Sequence, residues 1–221
     1  MHLLVVGGNG LIGRRTCRAA VDHSAVERVT SVSRSGRPAD AGEWVDGVRW
    51  VAGDALDPAG WRWALRDADS VVHSVGIVEE SPKEGVTFER INGDAGVVVG
   101  LEAERAGADA LVLLSAATKP PRTRDAYLDA KRRAERSVAD LDLRTVALRS
   151  GAVYGAGDPH FPWLLDRAFA LVDRVDTLGR RVEHRPLPVE TVGRAALRAA
   201  LDPTCRGVHD ADAIRALGSD G

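Results

Sequence analysis

Tyr127 and Lys131 lie four positions apart in Tyr127-Leu128-Asp129-Ala130-Lys131, and Arg132-Arg133-Ala134-Glu135 continues the same helix-forming run. On a helix, i and i+4 share one face, which brings a phenol and an ammonium within reach of each other. A free phenol has a pKa of about 10 and exchanges protons poorly at neutral pH. A nearby cation favours the phenolate and draws that value toward the working range of a general acid or base. Composition makes the pair stand out: the chain has two tyrosines and only three lysines (Lys83, Lys119, Lys131) among 30 basic residues. At those frequencies a Tyr-x-x-x-Lys spacing has a chance probability of about 3%. The pair predicts general acid/base work, Tyr127 acting as acid/base and Lys131 as its electrostatic partner.

A second constellation opens the chain. Gly7-Gly8-Asn9-Gly10-Leu11-Ile12-Gly13 joins an apolar run to a helical stretch. Gly7 permits a tight turn, Gly10 admits a pyrophosphate close to backbone, and Gly13 allows the helix to pack on the sheet. The helix N–H groups then face the phosphates, so Gly7, Asn9, Gly10, Leu11, Ile12 and Gly13 form the expected cofactor cradle. The second apolar run ends in Ser33-Arg34-Ser35-Gly36-Arg37, without an acid. An acid there would bond the ribose hydroxyls and favour NAD, whereas a forked cation flanked by hydroxyls suits a 2′-phosphate. The expected cofactor is NADP(H), with NAD(H) the alternative. Arg34 is the principal contact, Ser33 and Ser35 add neutral donors, and Arg14 or Arg37 is secondary. Exposed loop arginines without a ligand are the plainer reading of the same residues.

The elements that must position these groups alternate in type. Apolar runs at Leu3–Val6, Arg28–Ser33, Val48–Val51, Ser70–His73, Ala110–Leu114 and Thr145–Leu148 read as buried strands. Helices are expected at about 11–22, 58–66, 87–106, 124–139, 161–173 and 189–201. This alternation predicts an α/β fold, a doubly wound parallel sheet with helices on both faces. A single domain is expected over 1–221, with a small C-terminal substrate lobe mainly from 151–188 and a weakly specified end from about Ala211. The formal charge of -2 argues against a generally basic nucleic-acid binder. Cys17 and Cys205 make neither a disulfide framework nor a metal site. No apolar run is long enough to span a bilayer and the N-terminus lacks a basic leader, so a cytoplasmic location is expected.

The glycine turn has G-x-x-G-x-x-G spacing. It is followed in order by Gly53-Asp54, His73-Ser74-Val75-Gly76, Tyr127-x-x-x-Lys131 and Arg149-Ser150-Gly151-Ala152-Val153-Tyr154-Gly155. This series resembles the extended and atypical branches of the short-chain dehydrogenase/reductase superfamily, NAD-dependent epimerase/dehydratase-like proteins included, to about residue 202. The resemblance implies a Rossmann-like fold. It further implies that Asp54, with Ala55 beside it, meets the adenine amine, and that His73, Ser74 and Gly76 pass beneath the adenosine and ribose. His73 reads equally well as a packed strand-end histidine. Lys131 would also hold the nicotinamide ribose while hydride moves at nicotinamide C4. Ser115 and Thr118 are the candidates for the hydroxyl that orients substrate, since the position extended members use falls on Ala117 or Thr118. Asn92 resembles an asparagine that holds the active-site water and lysine; as a plain helix opener it would be an N-cap.

The stretches 69–79 and 31–36 resemble atypical members associated with coenzyme Q synthesis and with the nucleotide-binding accessory subunit of respiratory complex I. The leading expectation is NADP(H)-dependent oxidoreduction of a carbonyl or alcohol on a small molecule, apolar or quinone-like. Its rivals are a non-catalytic nucleotide-binding accessory or sensor protein and a nucleotide-sugar epimerase or dehydratase, for which the lobe is short. Phe161, Trp163, Leu164, Leu165, Phe169, Leu171 and Val172 form an apolar stretch too short to span a bilayer. It is expected to close the pocket, or else to act as a lid at a membrane surface.

Overall fold

Continuous β-branched runs bury both of their faces, and here they assemble in parallel. The computed structural model describes residues 1–39, 42–155 and 186–219. The strands β1 (His2–Val6), β2 (Arg28–Ser33), β3 (Val48–Ala52), β4 (Ser70–His73), β5 (Ala110–Ala116), β6 (Arg144–Ser150) and β9 (Gly207–His209) form one sheet. Its order is β3-β2-β1-β4-β5-β6-β9, with every pairing parallel. A separate parallel pair joins β7 (Val153–Tyr154) to β8 (Leu187–Pro188). The order reverses between β1 and β4, and in such sheets ligands bind beyond the carboxyl ends of the strands at the reversal.

Strand alternation sorts the core into two layers. Leu3, Val5, Val72, Val112 and Leu148 pack against Cys17 and Ala20 of α1 (Leu11–Val21), Val192 and Ala196 of α4 (Val189–Leu201), and Ile214 of α5 (Ala211–Gly218). Leu4, Val6, Val71, Leu111 and Leu113 meet Val99 and Ala103 of α2 (Ala95–Ala106), Ala134 and Val138 of α3 (Ala126–Ala139), and Trp61.

Three expectations change. The stretch 58–66 is two 3₁₀ turns, Pro58–Gly60 and Arg62–Leu65, rather than one helix. Trp61 divides them, fully buried with its Nε1 donating to the Asp54 carbonyl at 2.7 Å, so its side chain is served at the cost of helical continuity. The stretch 87–106 opens with a π-helical segment, Glu89–Asp94, before α2. The stretch from about Ala211 is regular rather than weakly specified: β9 extends the sheet just before it, and α5 is capped by Asp210, which accepts from the Ala213 N–H at 2.9 Å. Arg194 and Arg198 of α4 donate to the carbonyls of Gly218 and Leu217 at 2.8 and 2.7 Å. Eight residues carry too short an apolar period to announce themselves in sequence. The expected helix at 161–173 and most of the lobe lie outside the described residues.

Ile214 is fully buried between α5 and the sheet. Ile214→Ala should therefore lower the unfolding free energy by about 2–5 kcal/mol in urea denaturation; an unchanged midpoint would show that α5 adds nothing to the core.

Candidate active site

At the glycine turn the N–H of Gly7 donates to the Val32 carbonyl at 2.7 Å, and Gly7 adopts φ +91°. A side chain is excluded where α1 crosses β1, because a Cβ on Gly13 would lie 2.2 Å from the Gly7 carbonyl oxygen. Gly10 precedes α1 without a side-chain cap, and the first turn, Leu11 and Ile12 included, carries no acid. The N–H groups at this end are therefore available to an anion, as a pyrophosphate requires. Asn9 ties the turn to the end of β2: its Nδ2 donates to Ser35 Oγ at 2.7 Å, and its Oδ1 accepts from Arg14 Nε at 2.9 Å.

Beyond β2, Ser33 Oγ donates to the Gly36 carbonyl at 3.1 Å, and Arg37 pairs with Asp46. Arg34 is exposed and makes no ion pair among the described residues. Asp54 is exposed as well, one carboxylate oxygen accepting from the Leu56 N–H at 2.9 Å, while Ala55 is buried in the core.

At the end of β4, Ser74 donates through both N and Oγ to the Val6 carbonyl, at 2.8 and 3.1 Å, locking β4 to the glycine turn. His73 is 1% exposed and its Nδ1 has no hydrogen-bond partner among the described residues. Burial, with a smaller contribution from the Lys131 charge, lowers its pKa to about 3. Asn92 sits inside the π-helical segment and grips Ile77 by both of its amide atoms, accepting from the N–H at 2.8 Å and donating to the carbonyl at 3.0 Å. It is not an N-cap; it holds the loop that carries Gly76. A Cβ on Gly76 would approach Lys131 Nζ to 3.5 Å, which places that ammonium beside the loop.

Tyr127 and Lys131 do share a face of α3, each 8% exposed. The Tyr127 ring packs edge-on against Phe88 with centroids 5.5 Å apart. Lys131 Nζ donates to the Leu114 carbonyl at 3.2 Å and stands 5.7 Å from the centre of the tyrosine ring. The electrostatics differ from the expectation. Burial pushes the Tyr127 phenol up to about 12, and burial also pulls Lys131 down to about 8. The ammonium is held at a strand carbonyl, so it does not offset the desolvation of the phenol. The Tyr127 hydroxyl makes no hydrogen bond among the described residues, and it stays protonated at neutral pH.

Ser115 is engaged elsewhere. Its Oγ donates to Glu135 and accepts from Arg132 Nη1 at 3.2 Å. Arg132 also donates to Glu135 at 2.7 Å and to the Ala116 carbonyl at 2.7 Å, and Arg149 grips both Glu135 oxygens at 2.5–3.2 Å. Burial alone would raise the Glu135 carboxyl, but hydrogen bonds from Arg149 and Ser115 and the two guanidinium charges hold it below the usual range. Thr118 is exposed, three positions further on. Sequence reasoning missed this network, although Glu135 stands one helical turn beyond Lys131 on the same face. It also missed Glu80, which accepts from the Phe88 N–H at 2.9 Å and pairs with Arg124, tying the loops after β4 and β5 together beside Tyr127.

The family model of the NAD dependent epimerase/dehydratase family matches residues 3–172. The chain belongs to this family. It is 34% identical over 158 residues to an uncharacterized chloroplastic protein of Arabidopsis thaliana, covering 70% of this chain and 51% of that protein. It is 28% identical over 155 residues to the ceramide reductase of Caulobacter vibrioides, covering 70% of this chain and 47% of that protein. The chain thus spans about half the length of these relatives. Among solved structures, MoeE5 in complex with UDP-glucose and NAD aligns with a TM-score of 0.68 at 24% identity, over 94% of this chain and 74% of that one. At that identity the similarity establishes the Rossmann-like fold. Among the described residues, no helix is long and apolar enough to cross a membrane, and no group of three or more side chains is arranged to hold a metal.

In this family member, the buried neutral His73 couples the site to stability. The native pKa of about 3 lies below the ordinary 6.5, so the unfolded chain binds the extra proton between those values and stability falls as pH falls. Between pH 7 and pH 5 the protein should lose about 2 kcal/mol through this group. Urea denaturation of wild type and His73→Gln at both pH values reads that difference; equal pH slopes would refute it.

Proposed function

We propose that the chain is an NADP(H)-dependent oxidoreductase acting on a carbonyl or alcohol of a small molecule. The observation that carries this reading is the Tyr127 hydroxyl, without a hydrogen-bond partner among the described residues, on a ring braced by Phe88 and Lys131 beyond the carboxyl end of β5. The glycines of the turn, Gly7, Gly10 and Gly13, and the uncapped start of α1 suit a dinucleotide pyrophosphate. The exposed Arg34, with the Ser35 hydroxyl beside it, suits a 2′-phosphate, while Arg37 is already paired with Asp46. When bound, the nicotinamide supplies or accepts the hydride at C4.

The chain's own residues handle the proton. A phenol that stays protonated at neutral pH donates a hydrogen bond to a carbonyl oxygen and passes its proton as negative charge develops there, which favours the reducing direction. In this reading Lys131, beside Gly76, holds a ribose hydroxyl and opposes that charge. With Ser115 donating to Glu135, Thr118 is the hydroxyl left to orient substrate. The same engagement of Ser115 favours a second reading, a nucleotide-binding accessory protein without turnover.

Tyr127→Phe should lower NADPH oxidation about 10²–10⁴-fold with carbonyl substrates, measured by absorbance at saturating cofactor. If the wild type binds NADPH but a carbonyl and quinone panel oxidises none of it, and Tyr127→Phe leaves cellular function intact, the accessory reading holds instead. Arg34→Ala should weaken NADPH binding about tenfold, the worth of one charge-assisted contact, and leave NADH binding within about twofold. Fluorescence titration checks this, and equal NADH and NADPH affinity in the wild type would remove the NADP(H) preference.

A further inference from the structure

Beyond the carboxyl ends of β5, β6 and β9 lies a cavity of about 350 Å³, lined by Ala117, Arg132, Arg149, Val208, Asp210 and Ala213. That volume falls among small-molecule sites, which run from about 300 to 1,000 Å³. Tyr127 and Lys131 do not line it, and the proposed chemistry does not use it. On one wall, Arg132 and Arg149 expose 25% and 33% of their side chains while sharing the buried Glu135 behind them. Two guanidinium charges against one carboxylate leave one positive charge in excess. Arg132 Nε and Arg149 Nη1 make no hydrogen bond among the described residues.

Asp210 supplies the opposing charge. One of its oxygens accepts the Ala213 N–H at 2.9 Å, and the other makes no hydrogen bond among the described residues. Although Asp210 and the arginines line one cavity, no ion pair within 4.0 Å joins them among the described residues. Among the described residues, the remaining lining, Ala117, Val208 and Ala213, is small and apolar and offers no competing polar side chain. Opposite charges held apart across a cavity leave their attraction unspent, and a ligand carrying both signs satisfies each wall. A simple anion would meet Asp210 as a repelling charge, and a simple cation would meet the arginines.

We infer that this cavity binds a small zwitterion, its carboxylate on Arg132 and Arg149 and its ammonium toward Asp210. The site stands whether or not Tyr127 is catalytic. The test is calorimetric titration of the full chain with glycine, 3-aminopropanoate, 4-aminobutanoate and 5-aminopentanoate, a series that reads the span between the charges. Propanoate and propylamine serve as single-charge probes. One member of the series is expected to bind saturably, at least tenfold tighter than either single-charge probe. Asp210→Asn retains an N-capping side chain and removes only the charge. It should weaken the zwitterion at least tenfold and leave propanoate no weaker, whereas Arg132→Gln should weaken both. Melting curves confirm that each variant is folded; should Arg132→Gln fail to fold, the Asp210→Asn comparison decides alone. Absence of saturable binding across the series, propanoate binding as tightly as the best zwitterion, or Asp210→Asn binding like wild type would each overturn the inference.

Discussion

Everything at the ligand-binding edge depends on how closely α1 lies against β1. A Cβ on Gly13 would stand 2.2 Å from the Gly7 carbonyl oxygen, a separation no side chain survives. With hydrogen in its place, α1 begins directly over the end of β1 and its free N–H groups open beside the crevice where the strand order reverses. The same contact fixes β4, because Ser74 bonds back to the Val6 carbonyl at 2.8 and 3.1 Å, next to the turn. From β4 the loop reaches Asn92 and Lys131. The glycine turn and the Tyr127–Lys131 pair thus belong to one connected edge of the sheet.

Burial, more than pairwise charge, sets the chemistry of that edge. His73 and Lys131 are both shifted toward their neutral forms, and Tyr127 is held in its protonated form. Glu135 is the exception. Desolvation opposes its charge, but two guanidiniums and the Ser115 hydroxyl supply enough hydrogen bonds to keep it ionised. That concentration of donors engages the Ser115 hydroxyl and leaves the arginine wall of the neighbouring cavity in place.

Much of the fold was legible because its signals are local. The strand runs are continuously apolar and β-branched, and the order of glycine turn, β4 loop and Tyr-x-x-x-Lys follows from β–α alternation. Even β6, expected at Thr145–Leu148, differs from Arg144–Ser150 only at its ends. The exceptions have tertiary causes. Trp61 breaks a helix to bury its indole, Asn92 distorts one to grip Ile77, and α5, only eight residues long, buries Ile214 in the core while Asp210 and arginines of α4 hold its two ends.

The sequence by itself determined the α/β class, the glycine turn and the shared face of Tyr127 and Lys131, since each rests on residue type and on a backbone period that any helix or strand imposes. Only the tertiary structure decided which hydroxyl is spoken for, in which direction the Tyr127 and Lys131 pKa values move, and which charges stand apart across a cavity. Those outcomes turn on desolvation and on partners distant in the chain: Ser115 meets Glu135 20 residues on, and Arg149 reaches the same carboxylate from 14 residues away. No local spacing encodes such meetings, because they exist only once the sheet and helices have packed.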